Sequence, residues 1–422
     1  MGPPATQSNL ASLLEKGLSA EVLSLLSKIA ATADARHVAV HLVGGAVRDL
    51  LLAQPALDLD LVVEGDAPGL AQSLAEQIGG RAVIHHRFRT AKLYVKSMEL
   101  DLVTARRERY GKPGALPRVQ PGTIDDDLRR RDFTINALAV SLSRASFGEV
   151  SDPTNGRADL EAGLLRVIHD RSFEDDATRI LRALRYQARF GFRLHPATAS
   201  LLHDGAGYLD GISGTRVRHE IERILAEERP EIALELAKES GALAAIHPSL
   251  EGDGRLDERF VRARSMGLGR RDVYLALLGW PVTPEAARAV AQRLSLNGAD
   301  ANALLEAGQL SKLLPDLNDP ELRPSDMARA LEPYGETALA AGRVAADSTL
   351  IDERLLRYLD ELRHVRPALG GSDLRKLGVP SGPQVGEALA MLTSARLDEL
   401  VGSRQDEEAL IARWLRPKAA TR

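Results

Sequence analysis

Asp58 and Asp60 stand two residues apart in the run LDLDLVV, residues 57–63. On an extended strand alternate residues face the same way, so the two carboxylates share one face. Adjacent carboxylates repel, and a bound Mg2+ ion is a usual way to relieve that repulsion. Leu57, Leu59, Leu61, Val62 and Val63 surround the pair and imply a half-buried strand, which does not keep two unpaired acids without reason. By itself, however, an Asp-x-Asp also suits a solvated strand face. Glu99 and Asp101 alternate in the same way in MELDLVT, with Asp101 the better candidate for a third carboxylate. Three such acids would complete a two-metal site, in which one ion activates an attacking hydroxyl and the other steadies a triphosphate and its leaving pyrophosphate.

Gly44 and Gly45 interrupt LVGGAVRDLLLA, between an apolar run and a helical one. Glycine lets the backbone approach a ligand at a helix N-terminus, where free N–H groups favour phosphate, and Arg48 lies one turn further in. The same pair also suits a tight turn that holds nothing. From Arg87 to Arg131 there are twelve Lys or Arg against six Asp or Glu, a local positive excess that suits a polyphosphate or RNA. The centre of this zone, residues 107–122, is rich in Gly and Pro and is expected to be a mobile loop with Arg107, Arg109 and Lys112 at its near end. It is followed by DDDLRRRDFTINALAV, where Arg129, Arg130, Arg131 and Asp132 precede what reads as an apolar helix capped by Asp132 or Thr134. In SFEDDATRILRALRYQARFGF, Arg179, Arg182 and Arg185 fall on one helix face, with Asp176 a turn before Arg179. Asp176 and Arg179 either form an intrahelical ion pair or offer an acceptor and a donor to the Watson–Crick edge of a base.

The elements that must position these groups follow from periodicity. Opening helices are expected from Asn9, a strand over 37–43, a glycine turn and a helix, then strands over 57–63, 82–84, 91–95 and 100–104, with a helix over 67–78. From Asp159 onward nearly every apolar run has a 3.6-residue rhythm, so the remainder is expected to be helical. Loops near 248–256, 280–284 and 314–325 are candidate boundaries.

Composition removes several classes. The chain has 422 residues and a net charge of -4, so any site for a polyanion must be local. There is no cysteine, which excludes disulfide scaffolds, thiolate nucleophiles and zinc–thiolate centres. No export signal or membrane span is legible, and a cytoplasmic address without membrane association is the expectation.

Taken in order, GGAVRD with DLD (44–60), RRDFTINA (130–137) and DDATRILRALR (175–185) resemble the motifs of the tRNA nucleotidyltransferase and poly(A) polymerase family, in the DNA polymerase beta superfamily. The match runs from about residue 40 to 225. The resemblance implies an α+β fold, with an N-terminal polymerase-beta-like α/β head followed by an all-helical neck, body and tail. It implies opening helices over 1–35, a catalytic head over 36–155, a neck over 156–230 and a tRNA-binding body and tail over 231–422. It further implies Mg2+ on Asp58, Asp60 and Asp101, and nucleotide contacts from Gly44, Gly45 and Arg48. Arg131 and Asp132 would lie at the ribose and phosphates, Asp176 and Arg179 would template the base, and Arg182 and Arg185 would support the nucleotide. Asp175-Asp176-Ala177 departs from the family's usual Glu-Asp-Pro, a departure that implies a shifted helix start. The partners implied are the tRNA 3′ end with ATP, and CTP if C is also added. Residues 62–80 and 104–122 lean toward terminal A addition, ahead of complete CCA addition, then CC addition or poly(A) synthesis. Two other classes stand beside these, an RNA-binding protein on an inactive scaffold and a nucleotidyltransferase acting on a small molecule. The three retained acids speak against the first, and Asp176, Arg179 and the helical tail against the second.

Overall fold

The computed structural model describes residues 9–55, 59–111, 114–115, 117–280 and 282–416. Two compact units divide between Ile246 and His247.

The first unit opens with α1 (Ala11–Gly17) and α2 (Ala20–Ala35), followed by β1 (Ala39–Val43), α3 (Gly45–Leu51), β2 (Leu59–Glu64) and α4 (Ala67–Ile78). Then come β3 (Arg81–His85), β4 (Thr90–Val95), β5 (Met98–Thr104), β6 (Arg106–Arg109), β7 (Arg118–Pro121) and α5 (Ile124–Arg129), with β8 (Ala139–Ser141) and β9 (Val150–Ser151) after a 3₁₀ turn at Thr134–Asn136. Seven strands form one sheet in the order β3-β4-β5-β2-β1-β8-β9, in which only β2 and β5 run parallel. Alternation decides its two faces. Val40, Leu42, Leu61, Val63, Leu93, Leu100 and Leu102 face one way and pack against Leu25, Leu26 and Ile29 of α2 and Leu70 and Leu74 of α4. On the other face, Val43 and Val62 pack in a smaller cluster with Ala105, Leu128, Ala137 and Ala139. That half-covered face is where a ligand can approach.

The chain continues through α6 (Gly156–Glu161), β10 (Leu164–Leu165), α7 (Ser172–Asp175), α8 (Thr178–Phe190), β11 (Arg193–Leu194), α9 (Pro196–Gly205), α10 (Gly214–Leu225) and α11 (Pro230–Glu239). Ile180, Leu181, Ala183 and Leu184 of α8 are buried, and the helix packs on α10 and α11. The second unit is helical from Leu256–Ser265 to Arg404–Leu415; Phe260 stacks on Tyr274 with ring centroids 4.2 Å apart, and Leu369, Leu374, Val379, Ala388, Leu392 and Ile411 form a core near its end. No helix among the described residues is long and apolar enough to cross a membrane.

Two expectations are corrected. Residues 107–122 are not an irregular loop over their length: β6 and β7 form an antiparallel hairpin, with Arg107 opposite Gln120 and Arg109 opposite Arg118. Glycines near the tip mask a ladder whose strands carry mostly charged side chains, so no apolar alternation announces it. Lys112, Pro113 and Leu116 lie outside the described residues. The run after Asp132 is not a helix either, but the 3₁₀ turn followed by β8. Phe133, Ile135, Ala137, Leu138 and Ala139 are all fully buried, and a run buried on every side carries no period to separate strand from helix. Beside β1, the sheet edge supplies the ladder that makes it a strand.

The 3₁₀ turn sits tightly on α6, since a Cβ on Gly156 would lie 2.0 Å from the Thr134 carbonyl oxygen. Gly156→Ala should therefore cost roughly 1–3 kcal/mol in denaturant unfolding, as overpacking against backbone does. Wild-type stability in that variant would mean the two segments are not held together as described.

Candidate functional site

The half-covered face of the sheet forms the floor of a cleft of about 1020 Å³. Asp60, Val62 and Val103 come from the sheet, Gly45 and Arg48 from α3, and Arg131, Asp132 and Asn136 from the turn before β8. α8 contributes Arg179, Arg182 and Arg185, the hairpin Glu108 and Tyr110, and α10 Arg216 and Glu220.

Parallel pairing of β2 with β5 sets Asp60 directly opposite Asp101, so the two carboxylates share a face on neighbouring strands. Glu99 is bonded to Lys92 of β4, whose ammonium also lies 3.5 Å from Asp101 Oδ1. The bond to Glu99 and the charge of Asp101 raise the Lys92 pKa, so the lysine stays charged as a partner for both acids of β5. Strand pairing thus favours Asp101 over Glu99 as the acid beside Asp60. Asp58 lies outside the described residues, and among the described residues no three potential ligands are clustered. The donors at Asp60 and Asp101 are carboxylate oxygens, the hard ligands that suit Mg2+.

The cationic wall is held from behind by acids. Gly44 adopts φ 68°, a left-handed conformation, and a Cβ there would lie 2.5 Å from an Arg131 guanidinium nitrogen. Gly45 starts α3. Arg48 is 4% exposed; its Nη1 donates to Asn136 Oδ1 at 2.6 Å, and its guanidinium lies 4.7 Å from the Phe190 ring centroid. Arg131 Nη2 donates to Oδ2 of fully buried Asp127 at 3.0 Å. Asp132 accepts from the Phe133 N–H at 2.9 Å and Asn136 Nδ2 at 3.0 Å through Oδ1, and from Arg182 Nε at 2.8 Å through Oδ2. Burial opposes the charge on Asp132, yet the Arg182 guanidinium and the Asn136 amide hold its pKa down to about 2. Arg185 donates to Glu227 Oε1 at 3.0 Å. Arg131 Nε and Arg185 Nε are buried without a hydrogen-bond acceptor among the described residues, on side chains that line the cleft.

Asp176 and Arg179 do not form the intrahelical pair that their spacing allows. Asp176 lies outside both helices, as the residue that closes α7, and α8 starts at Thr178. Its Oδ1 accepts from the Thr178 N–H at 2.9 Å, Thr178 Oγ1 at 2.6 Å and Arg216 Nη2 at 2.7 Å. Arg179 donates instead to Ser172 Oγ at 2.7 Å and to the Arg130 carbonyl at 2.9 Å. Both line one cleft, but each is held by other groups. Arg216, Glu220, Asn136 and Tyr110 were not singled out from sequence. The signal for the first two was present in TRVRHEIERIL, where Arg216, Glu220 and Arg223 fall at i, i+4 and i+7 on one helix face. Tyr110 donates to Glu108 Oε2 at 2.8 Å, and burial together with Glu108 pushes its hydroxyl pKa up.

The family described as Poly A polymerase head domain matches residues 40–166, and the one described as probable RNA and SrmB-binding site of polymerase A matches residues 191–253. An A-adding tRNA nucleotidyltransferase of Halalkalibacterium halodurans is 33% identical over 417 residues, covering 94% of each chain. A CC-adding tRNA nucleotidyltransferase of Deinococcus radiodurans is 35% identical over 381 residues, covering 90% of each. Among solved structures, a CCA-adding enzyme in complex with ATP superposes with a TM-score of 0.82 at 29% identity, covering 96% of this chain and 98% of that one.

The Asp132 carboxyl sets a pH test. Its folded pKa of about 2 lies below the ordinary 3.8, so its contribution is present above pH 4 and is lost as pH falls toward 2. Asp132→Asn should lower unfolding free energy near pH 7 by on the order of 2 kcal/mol or more, and the gap from wild type should close as pH falls through that window. A gap that is constant from pH 7 to 2.5 would show that the carboxylate charge contributes nothing.

Proposed function

The chain belongs to the tRNA nucleotidyltransferase and poly(A) polymerase family, and from that premise we propose that it transfers the terminal AMP of the tRNA 3′ CCA end from ATP, releasing pyrophosphate. It is a nucleotidyltransferase. The observation that carries the reading is the cleft itself, where Arg131 and Arg185, whose buried Nε atoms have no hydrogen-bond acceptor among the described residues, line the same cavity as Asp60. A buried donor without an acceptor costs roughly 1–3 kcal/mol, and a triphosphate oxygen relieves that cost. The lean to A rests on the full-length likeness to the A-adding enzyme and on the sequence around the hairpin.

In this reading Asp60 and Asp101, with Asp58, would hold Mg2+, which when bound would supply charge neutralisation for an in-line attack by the tRNA 3′ hydroxyl. The chain's own groups bind and orient. Gly44 leaves room for Arg131 beside α3 and Gly45 opens the helix start to the nucleotide, while Arg48 braces Asn136, which in turn orients Asp132. Asp132 keeps Arg182 in place at the ribose and phosphates, and Arg185 extends that cationic wall. Asp176 supplies an acceptor and Arg179 a donor for the edge of the base, and the latter must exchange its bonds to Ser172 and the Arg130 carbonyl as the nucleotide enters.

Three tRNA substrates, ending before CCA, after C and after CC, each offered CTP or ATP, test the assignment. A-only extension of the CC-ending tRNA is expected. C addition followed by A would make the protein a CCA-adding enzyme, C addition alone a CC-adding one, and long A tails a poly(A) polymerase. Asp60→Ala should reduce the rate at saturating Mg2+ by on the order of 10²-fold or more while tRNA affinity changes little. Retention of more than a few per cent of the wild-type rate would remove Asp60 from the metal site.

A further inference from the structure

Arg216 joins two segments that are far apart in the sequence. Its Nη2 donates to Asp176 Oδ1 at 2.7 Å, and its Nη1 to the Gly114 carbonyl near the hairpin tip at 2.8 Å. The Gly114 N–H in turn donates to the Glu174 carbonyl at 3.0 Å, which closes a ring between the hairpin, α10 and the turn that leads into α8. Gly114 adopts φ 66°, a left-handed conformation suited to glycine.

Asp176 Oδ1 already takes three donors, two from Thr178 and one from Arg216, whereas Oδ2 has no partner among the described residues. The terminal torsion of an aspartate is broad and two-fold, so the Thr178 bonds alone leave the carboxylate plane loosely set. A guanidinium fixed at its other end to Gly114 defines that plane, because its fork is rigid. We propose that Arg216 is a positioning residue for base selection: it anchors one oxygen of Asp176 and so holds the other as the acceptor that meets the base. This rests on the reading of Asp176 as a base-reading group. An amino group on the base, as in adenine or cytosine, donates to that oxygen. A carbonyl at the same place, as in guanine or uracil, is rejected as a second acceptor. The bond to Gly114 makes the selection depend on the hairpin being seated.

The test compares kcat/KM for ATP, GTP and UTP on a tRNA ending in CC, at saturating tRNA, in Arg216→Ala, Arg216→Lys, Asp176→Ala and the double alanine variant. Arg216→Ala should raise the use of GTP and UTP relative to ATP by roughly tenfold or more. Arg216→Lys should restore part of the preference, since an ammonium can hold Asp176 but lacks the fork that also reaches Gly114. The double variant should be no more permissive than Asp176→Ala, because both act through one carboxylate. If Asp176→Ala loosens selection and Arg216→Ala does not, whatever happens to the rate, the positioning role is overturned while the base-reading role stands. Unchanged base ratios in Asp176→Ala itself would overturn both. Should Arg216→Ala fail to fold, Arg216→Lys and Arg216→Gln decide by the same ratios, with wild-type selectivity in both counting against the proposal.

Discussion

A cleft that gathers guanidinium groups for a polyanion must neutralise them from behind, because like charges in a partly dry site repel until the ligand arrives. The Asp132–Arg182 pair is where this requirement is met most fully. Asp132 hangs from the turn that feeds β8, and Arg182 projects from α8, so one part-buried bond ties the sheet to the helix that carries the arginine face. The same acid takes the Phe133 N–H and the Asn136 amide, and Asn136 takes Arg48. Backbone, sheet and arginine wall are thereby oriented through a single carboxylate. Asp127 acts similarly beneath Arg130 and Arg131, and Glu220 and Glu227 support Arg185 from the α10 side.

The acids proposed to hold metal are placed by a different force, the pairing of backbone. β2 and β5 are the one parallel pair in a sheet otherwise antiparallel, and their register sets Asp60 beside Asp101. Apolar residues alternate with these acids and commit the opposite face to the core. A slip of one residue would turn Asp60 into that core and Leu61 into the cleft, so the burial of Leu61, Val63, Leu100 and Leu102 holds the carboxylates in place without touching them.

How much of this was legible depended on whether a segment carried a period. α4 was readable to its ends at Ala67 and Ile78, and β4 and β5 were readable within a few residues, because each has one buried and one wetter face. The charged hairpin and the wholly buried run from Phe133 to Ala139 were misread because neither has such contrast. At the site, the residue types of Asp60, Asp101, Arg48, Arg131, Asp132, Arg182 and Arg185 could be picked out, but not their partners. Asp176 and Arg179 were adjacent on a helical projection, yet the chain leaves α7 at Asp176 and sends the two side chains to Arg216 and to Ser172.

The sequence by itself determined which chemistry is possible: carboxylates on alternating strand positions, glycines before a helix, an arginine face, and no thiol. These are local properties, set by side-chain type and by spacings of two or three to four residues. Tertiary structure alone decided which acid stands beside Asp60, which guanidinium is neutralised by Asp132, and that Arg216 reaches both Asp176 and Gly114. Those contacts join residues 40 to 102 positions apart, and no local period encodes them. They arise when the sheet register, the helix packing and the cost of burying unpaired charge are satisfied together.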